Sequence, residues 1–328
     1  MLQYKYAVLI ALLTGCATLP ASAAQTAKKP SKAKTPAAPR RETVLVTVNG
    51  KNITESELDR MLMTRQVPDG QRAKARDAFL EEMIDARLIQ QFLDSRDTKA
   101  SKQEVDAQVN RIREAAKQRG SDPDKVLADL GYSVDSLREE FALTLAWKHH
   151  VDRAIPAARL KSYFDEHRAE FDGTKVKASH ILIRLHADDD ESAWKEAEVK
   201  LSEIRKRIVK GQISFSEAAR EYSQAPSKDE GGDVGEFPYI GKQPEQFSRE
   251  SFRLKVGEIS EPFRTKKGVH VCVVTDRKPG DLSLEDVRDE VLARMSQEMW
   301  RQTVADMRKT AKIEWKTDKS SAGVTKSE

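Results

Sequence analysis

Two short segments near the middle and the end of this 328-residue chain constrain its fold most. Residues 176–183 (VKASHILI) and residues 269–275 (VHVCVVT) both have the pattern of β-strands. Since successive side chains of a strand point to opposite faces, His180 shares a face with Leu182, and His270 shares a face with Cys272. The two segments therefore predict a small sheet that carries two histidines.

The segment between these strands predicts two helices and a glycine-rich turn. The helices are predicted at residues 193–210 and 215–222. Gly231, Gly232 and Gly235 follow, and they predict a turn that a side chain would obstruct. The expected unit is a sheet flanked by helices within one continuous stretch of chain.

Residues 175–277 resemble the catalytic domain of the parvulin family of peptidyl-prolyl cis/trans isomerases. The resemblance lies, in order, in VKASHILI at 176–183, SEAAREYS at 216–223, GGDVGEF at 231–237 and GVHVCVV at 268–274. It implies an α+β domain, a small antiparallel sheet flanked by helices, that isomerises X–Pro bonds and uses no cofactor.

The resemblance also assigns roles to residues. His180 and His270 match the two facing histidines at the floor of the parvulin site, so we predict them as catalytic residues. Val234 and Phe247 match the pocket for the proline ring, and Phe237 matches an aromatic residue with a structural role. Rotation of an X–Pro bond has a barrier of about 20 kcal/mol but breaks no bond, so an apolar pocket above a polar floor suffices.

Two positions differ from the family pattern. Ala225 stands where many parvulins carry Cys or Asp, and Gln243 stands where a pocket methionine is frequent. We include both as substrate-binding positions. They leave open an alternative function, a non-catalytic periplasmic chaperone whose parvulin domain only binds peptide. The acidic residues 188–191 occupy the region of the basic loop of phosphate-directed parvulins and would repel a phosphopeptide.

A metal site built from His180, His270 and Cys272 is a third hypothesis. The chain has no Cys-x-x-Cys or His-Glu-x-x-His spacing. We therefore predict no metal and no cofactor, and we interpret Cys272 as a small apolar residue of a buried strand.

The segment before the predicted isomerase domain is mostly helical in pattern. A strand at residues 43–48 leads into an Asn49-Gly50 turn, and Thr54 and Glu57 form a capping box that predicts a helix start. Further helices are predicted at about residues 79–92, 102–118, 123–130, 134–154 and 157–169.

Residues 44–155 are similar to the N-terminal domain of SurA-type and PrsA-type chaperone-foldases. The similarity lies in VNGKNIT at 48–54, FLEEMIDARLI at 79–89 and GYSVDSLR at 131–138. It implies a helical domain that binds unfolded chains. It also implies that the C-terminal segment, a predicted helix at 284–312 and a short strand at 311–315, packs on that domain, so that the isomerase domain is an insertion.

The predicted organisation follows from these segments. It comprises a signal peptide at 1–24, a flexible linker at 25–42, a helical chaperone domain at 43–156, a linker helix at 157–173, an isomerase domain at 174–278, a C-terminal helical segment at 281–316 and a disordered tail at 317–328.

The first residues predict export. An apolar run at 7–13 follows Lys5 and is too short to span a bilayer. Two processing sites remain open. The sequence LTGC at 13–16 resembles a lipobox that would leave a lipidated Cys16, whereas Ala21-Ser22-Ala23 is typical of an ordinary signal-peptidase site. The expected location is the periplasm, with membrane attachment if Cys16 carries a lipid anchor.

Charge gives no support to nucleic-acid binding. Residues 1–41 contain seven bases and no acid, which leaves 50 bases and 53 acids in the rest of the chain. The expected partners are unfolded or proline-containing exported polypeptides. The sequence leaves open whether the protein forms a homodimer through its helices.

Overall fold

A computed structural model describes residues 43–316. The predicted signal peptide, Cys16, the linker before Thr43 and the tail from residue 317 lie outside the described residues. Within the described part, no helix has the length and apolar composition of a membrane span.

The described part of the chain forms eleven α-helices, one 3₁₀ helix and seven strands. The helices are α1 Glu55–Thr64, α2 Asp69–Ser95, α3 Lys102–Gln118, α4 Pro123–Asp129, α5 Val134–Ala154, α6 Ala157–Glu166, α7 Arg168–Phe171, α8 Glu191–Val209, α9 Phe215–Tyr222, α10 Glu245–Arg253 and α11 Arg288–Arg308, with a 3₁₀ helix at Pro226–Glu230. The strands are β1 Val44–Val48, β2 Lys51–Thr54, β3 Lys175–Arg184, β4 Asp233–Pro238, β5 Phe263–Thr265, β6 Gly268–Lys278 and β7 Ile313–Trp315.

The chain divides into two compact units. Of the described residues, 43–156 and 293–316 form one unit, and the other runs from Ala157 to Leu292. The expected α+β architecture, with a helical domain built from both ends of the chain and an inserted parvulin domain, is confirmed.

The first unit is organised around a three-stranded antiparallel sheet with the order β2-β1-β7. Val46 pairs with Ile53 on one side and with Trp315 on the other. The core beneath this sheet joins strand residues to α1 and α2, and it consists of Leu45, Val46, Val48, Ile53, Leu58, Leu62, Leu80, Ile84 and Leu88. Burial of these apolar side chains stabilises the unit.

The helix start predicted at Thr54 is capped, and two further helices of this unit begin with the same motif. Thr54 and Glu57 satisfy each other's backbone N–H groups in a capping box, and Ser101 and Ser133 begin α3 and α5 in the same way. Each cap supplies an acceptor for N–H groups that have no partner within the helix.

Two predicted helices are shorter than expected. The helix predicted at 284–312 is limited to α11 because Ser283 binds the Asp286 carboxylate in a turn, while Lys312 exchanges hydrogen bonds with Asn49 and enters β7. The helix predicted at 157–169 is interrupted at His167, between α6 and α7. The first error arises from hydrogen bonds that compete with the helix, a local one at Ser283 and one between residues far apart in sequence, Lys312 and Asn49.

The second unit contains a four-stranded antiparallel sheet with the order β4-β3-β6-β5. Helices α8 and α9 cover one face, where Ile181, Ala197, Leu201, Ile204, Ala218, Ala219, Val269 and Val271 form a core. The opposite face packs against α10 through Val176, Ala178, Phe237, Phe247, Cys272 and Val274. The even-numbered residues at 176–182 in β3 and at 270–274 in β6 lie on this second face, so the predicted alternation is confirmed there.

Candidate active site

The pairing of β3 with β6 brings the two predicted catalytic histidines together. His180 lies opposite Cys272, and His270 lies opposite Leu182, so the two imidazoles are diagonal neighbours on one face of the sheet. Their Nδ1 atoms are 3.3 Å apart. One of these nitrogens must therefore be protonated and donate a hydrogen bond to the other.

Thr265 on β5 determines which nitrogen carries the proton. Its Oγ1 accepts the N–H of Lys267 at 3.0 Å and lies 2.9 Å from Nε2 of His270. If the Thr265 hydroxyl donates to Nε2 of His270, the Nδ1–H of His270 donates to Nδ1 of His180. The Thr265 hydroxyl, both nitrogens of His270 and Nδ1 of His180 then all have partners. The reverse assignment leaves the buried Thr265 hydroxyl proton without an acceptor among the described residues, so we assign the first.

Both imidazoles are neutral at neutral pH. Burial, and then the nearby positive charge of Lys267, lower the pKa of His180 to about 4. Burial, then the charges of His180 and Lys267, lower the pKa of His270 to about 3. We call these two residues the histidine pair.

Aromatic rings surround the histidine pair. Phe247 on α10 is 2% exposed and contacts His180 edge to face, with ring centroids 5.5 Å apart. Phe263 on β5 stacks on His270 at 5.5 Å. Phe247 also contacts Phe237, which is fully buried behind it, as expected for a structural role. We call Phe237, Phe247 and Phe263 the aromatic cluster.

Phe263 and Thr265 are site residues that sequence reasoning missed. Both lie on β5, which has only three residues and so shows no alternation to identify it as a strand. Their position becomes evident only from the pairing of Phe263 with His270 and of Thr265 with Gly268. The available signal was the short distance in sequence between Thr265 and His270.

Gly232 positions His180. The His180 N–H donates to the Gly232 carbonyl at 2.9 Å, and Gly232 has φ of +83°. A Cβ at this position would collide with the His180 carbonyl oxygen. The prediction that a side chain would obstruct the turn is wrong for Gly235, where the nearest atom to a Cβ is Lys242 Nζ at 4.0 Å and only the φ of +71° favours glycine.

The remaining predicted substrate-binding residues lie at different distances from this centre. Val234 is partly buried against the cluster that contains Phe247. Ala225 is buried and its N–H donates to Ser223 Oγ at 3.2 Å, while Gln243 is half-buried ahead of α10. In the described structure, neither Ala225 nor Gln243 forms a hydrogen bond with the histidine pair. The side chain of Ala225 is a methyl group and has no atom that could form one.

Cys272 lies beside the histidine pair but has no nucleophilic character. It is fully buried, its Sγ lies 3.6 Å from Ser251 Oγ, and burial raises the pKa of its thiol to about 11. In the described part of the chain, no group of three His, Cys, Asp or Glu residues is arranged to hold a metal ion.

The arrangement has the properties needed for work on an X–Pro bond. Phe247 and Phe263 of the aromatic cluster make the surroundings of the histidine pair apolar, as a proline ring requires, and Nε2 of His180 is left to bond the adjoining amide. No activated nucleophile is present in this site, and none is needed for rotation about a bond.

Known proteins share these features. Residues 180–276 match the family described as Rotamase, PPIC-type PPIASE domain. The foldase protein PrsA of Geobacillus kaustophilus is 31% identical over 259 residues, which cover 76% of this chain and 76% of that protein. The chaperone SurA of Albidiferax ferrireducens is 36% identical over 120 residues, covering 37% of this chain and 25% of that protein.

Among solved structures, the peptidylprolyl isomerase PrsA from Bacillus cereus covers 85% of this chain and 96% of its own, at 22% identity and a TM-score of 0.38. The family match and the similarity to PrsA of Geobacillus kaustophilus confirm the resemblance inferred from the motifs. The chain belongs to the PrsA foldase family and is a peptidyl-prolyl cis/trans isomerase of the parvulin type.

Proposed function

We propose that the histidine pair and the aromatic cluster form the site at which this foldase isomerises X–Pro bonds in unfolded exported polypeptides. His180 contacts the amide, His270 holds the imidazole of His180 through the Nδ1–Nδ1 hydrogen bond, and Phe247 and Val234 contact the proline ring. Ala225 and Gln243 line the approach to the site. The main support for this proposal is the neutral histidine pair, whose Nδ1 atoms are 3.3 Å apart and which lies directly beside the buried ring of Phe247.

The proposed mechanism is tighter binding of the twisted amide than of either planar form. Each 1.36 kcal/mol of that preference raises the rate about tenfold. With His270 donating to Nδ1 of His180, the Nε2–H of His180 is the donor available to the carbonyl oxygen of a bound peptide. Because both rings are neutral, this donor is present throughout the neutral pH range.

The test is a prolyl-isomerisation assay on short X–Pro peptides with the full chain and its Phe247→Ala and His180→Ala variants. We expect kcat/KM to fall at least about tenfold in both, because one loses the apolar contact and the other the donor. The matched control is Ile204→Ala, which removes a similar buried apolar side chain from the opposite face of the sheet. Its activity per folded molecule should equal that of the wild type.

The alternative is a chaperone whose parvulin unit only binds peptide, and Ala225 and Gln243 are the residues that favour it. A wild-type chain that shows no catalysis with any X–Pro peptide, yet suppresses aggregation of an unfolded client, would replace the proposed mechanism with this one.

We also propose the division of labour and the location. Residues 43–156 with 281–316 bind unfolded chains, and residues 174–278 carry the isomerase site.

The protein acts in the periplasm after removal of the signal peptide, attached to the membrane through a lipid on Cys16. Intact-mass measurement of the exported form tests this: a start at Cys16 with added acyl mass supports the anchor, and a start near Ala24 contradicts it. Light scattering of the same sample decides between monomer and homodimer.

A further inference from the structure

The turn between β5 and β6 holds Lys267 in a fixed position next to the histidine pair. The Lys267 N–H donates to Thr265 Oγ1 at 3.0 Å, and the same oxygen bonds His270. On the other side, the Lys267 carbonyl accepts the N–H of Leu185 at 3.3 Å. Gly268 follows with φ of +128°, so closely packed that a Cβ would collide with the Ile183 carbonyl oxygen. The backbone at Lys267 is therefore held from both sides.

The side chain of Lys267, unlike its backbone, is exposed and without a partner. Among the described residues its ammonium forms no ion pair and no hydrogen bond. Three other cations of this unit are paired, by contrast: Arg264 with Glu191 and Glu198, Lys177 with Asp233, and Lys278 with Glu236. Lys267 is free to turn toward a bound peptide.

The positive charge of Lys267 acts on both imidazoles of the histidine pair, in addition to the larger effect of burial. It lowers the pKa of both histidines, and no acidic side chain acts on either of them. Three of the four carboxylates of residues 188–191 are engaged: Asp189 accepts the His186 N–H, Asp190 caps α8, and Glu191 binds Arg264. A peptide at the histidine pair therefore lies close to the positive charge of Lys267.

We propose that Lys267 is a specificity-determining residue that makes this isomerase prefer X–Pro bonds preceded by an acidic residue. The proposal rests on the function proposed above for the histidine pair. A residue next to the isomerised amide lies within side-chain reach of this turn, and a carboxylate there would pair with the unpartnered ammonium. An exposed pair of this kind corresponds to a preference of about two- to fivefold, which added salt should reduce.

The experiment measures kcat/KM of the full chain for the tetrapeptides Ala-Glu-Pro-Phe, Ala-Gln-Pro-Phe and Ala-Lys-Pro-Phe. Glu and Gln have the same shape, so their ratio isolates the charge. We expect a Glu/Gln ratio of about two to five at low salt, with the lysine peptide the poorest. Lys267→Gln should bring the ratio to about one, and Lys267→Glu should make the lysine peptide the best of the three. The backbone N–H that bonds Thr265 remains in both variants.

The matched control is Lys200→Gln, which removes an equally exposed lysine of α8 outside the site and should keep the wild-type ratio. A wild-type ratio of one, or a ratio that Lys267→Gln leaves unchanged, would overturn the role of Lys267 while leaving the isomerase function intact. A wild-type chain inactive on all three peptides would overturn the proposed function and this inference with it.

Discussion

At the scale of single residues, the protonation state of the histidine pair links the site to the stability of its unit. A histidine in an unfolded chain has a pKa near 6.5, whereas burial lowers the pKa to about 4 for His180 and to about 3 for His270. At a pH between the unfolded and the folded pKa, the unfolded chain binds protons at these two histidines that the folded unit does not bind. The stabilising contribution of the neutral pair is therefore complete above pH 6.5 and is lost as the pH falls.

We expect the unfolding free energy of the second unit to fall by on the order of 3 kcal/mol between pH 7 and pH 5, since one pKa unit corresponds to about 1.4 kcal/mol. Urea unfolding at each pH measures this, and NMR titration of the two imidazoles should show no protonation above pH 5. The His270→Leu variant, with one proton-binding group fewer, should have a shallower pH dependence. Imidazoles that titrate near pH 6.5 would contradict the argument.

At the scale of elements, the turn that precedes β4 determines where β3 can lie. Gly232 and Gly235 both have positive φ, but only Gly232 is in close contact, with the backbone of His180. Substitution of Gly235 by alanine therefore costs only the free energy of an unfavourable backbone conformation, whereas substitution of Gly232 adds the free energy of a steric collision.

Gly232→Ala should destabilise the second unit by more than about 2 kcal/mol and lower kcat/KM, because β4 must move away from His180. Gly235→Ala should cost only about 1 kcal/mol, the conformational term, with activity preserved. Urea unfolding and the peptide assay measure both variants. Equal effects of the two substitutions would show that packing against His180 is unimportant.

The same scale shows what the sequence could predict. The longer elements follow from periodicity and caps, as α9 and α3 do, since the signals are local. The predicted α11 ran too far at both ends because its limits depend on Asp286 and on the bond between Lys312 and Asn49. Phe263 and Thr265 could not be assigned, because a three-residue strand is defined by its partner and not by its own pattern. The functional pair, His180 and His270, was predicted from a family resemblance, and strand alternation alone gave only the face on which each lies.

At the scale of the whole molecule, the first unit depends on pairing between distant parts of the chain. β7 completes the sheet beside β1, and Ile313 and Trp315 pack on the core that includes Leu45 and Ile84. The second unit is continuous from Ala157 to Leu292 and has no strand from outside that range.

A chain that ends at Thr310 should therefore lose stability in the first unit only. We expect its unfolding free energy to fall by on the order of 3 kcal/mol, from lost apolar burial and strand hydrogen bonds. Isomerase activity on tetrapeptides should persist. Hydrogen exchange resolved by segment measures the two units separately, and a chain that ends at Lys316 is the control. Equal loss of protection in both units would contradict this independence.

The pairing of β1 with β7 also has a consequence for the order of events during synthesis and export. Asn49 and Lys312, which join the two ends of the sheet, are 263 residues apart in the chain. Because a polypeptide emerges from its N-terminus, the isomerase unit has all of its strands before β7 arrives, and β1 and β2 must wait with one edge unpaired. Among the described strands, β7 is the last to be synthesised, so the sheet of the isomerase unit can be complete before the sheet of the first unit is.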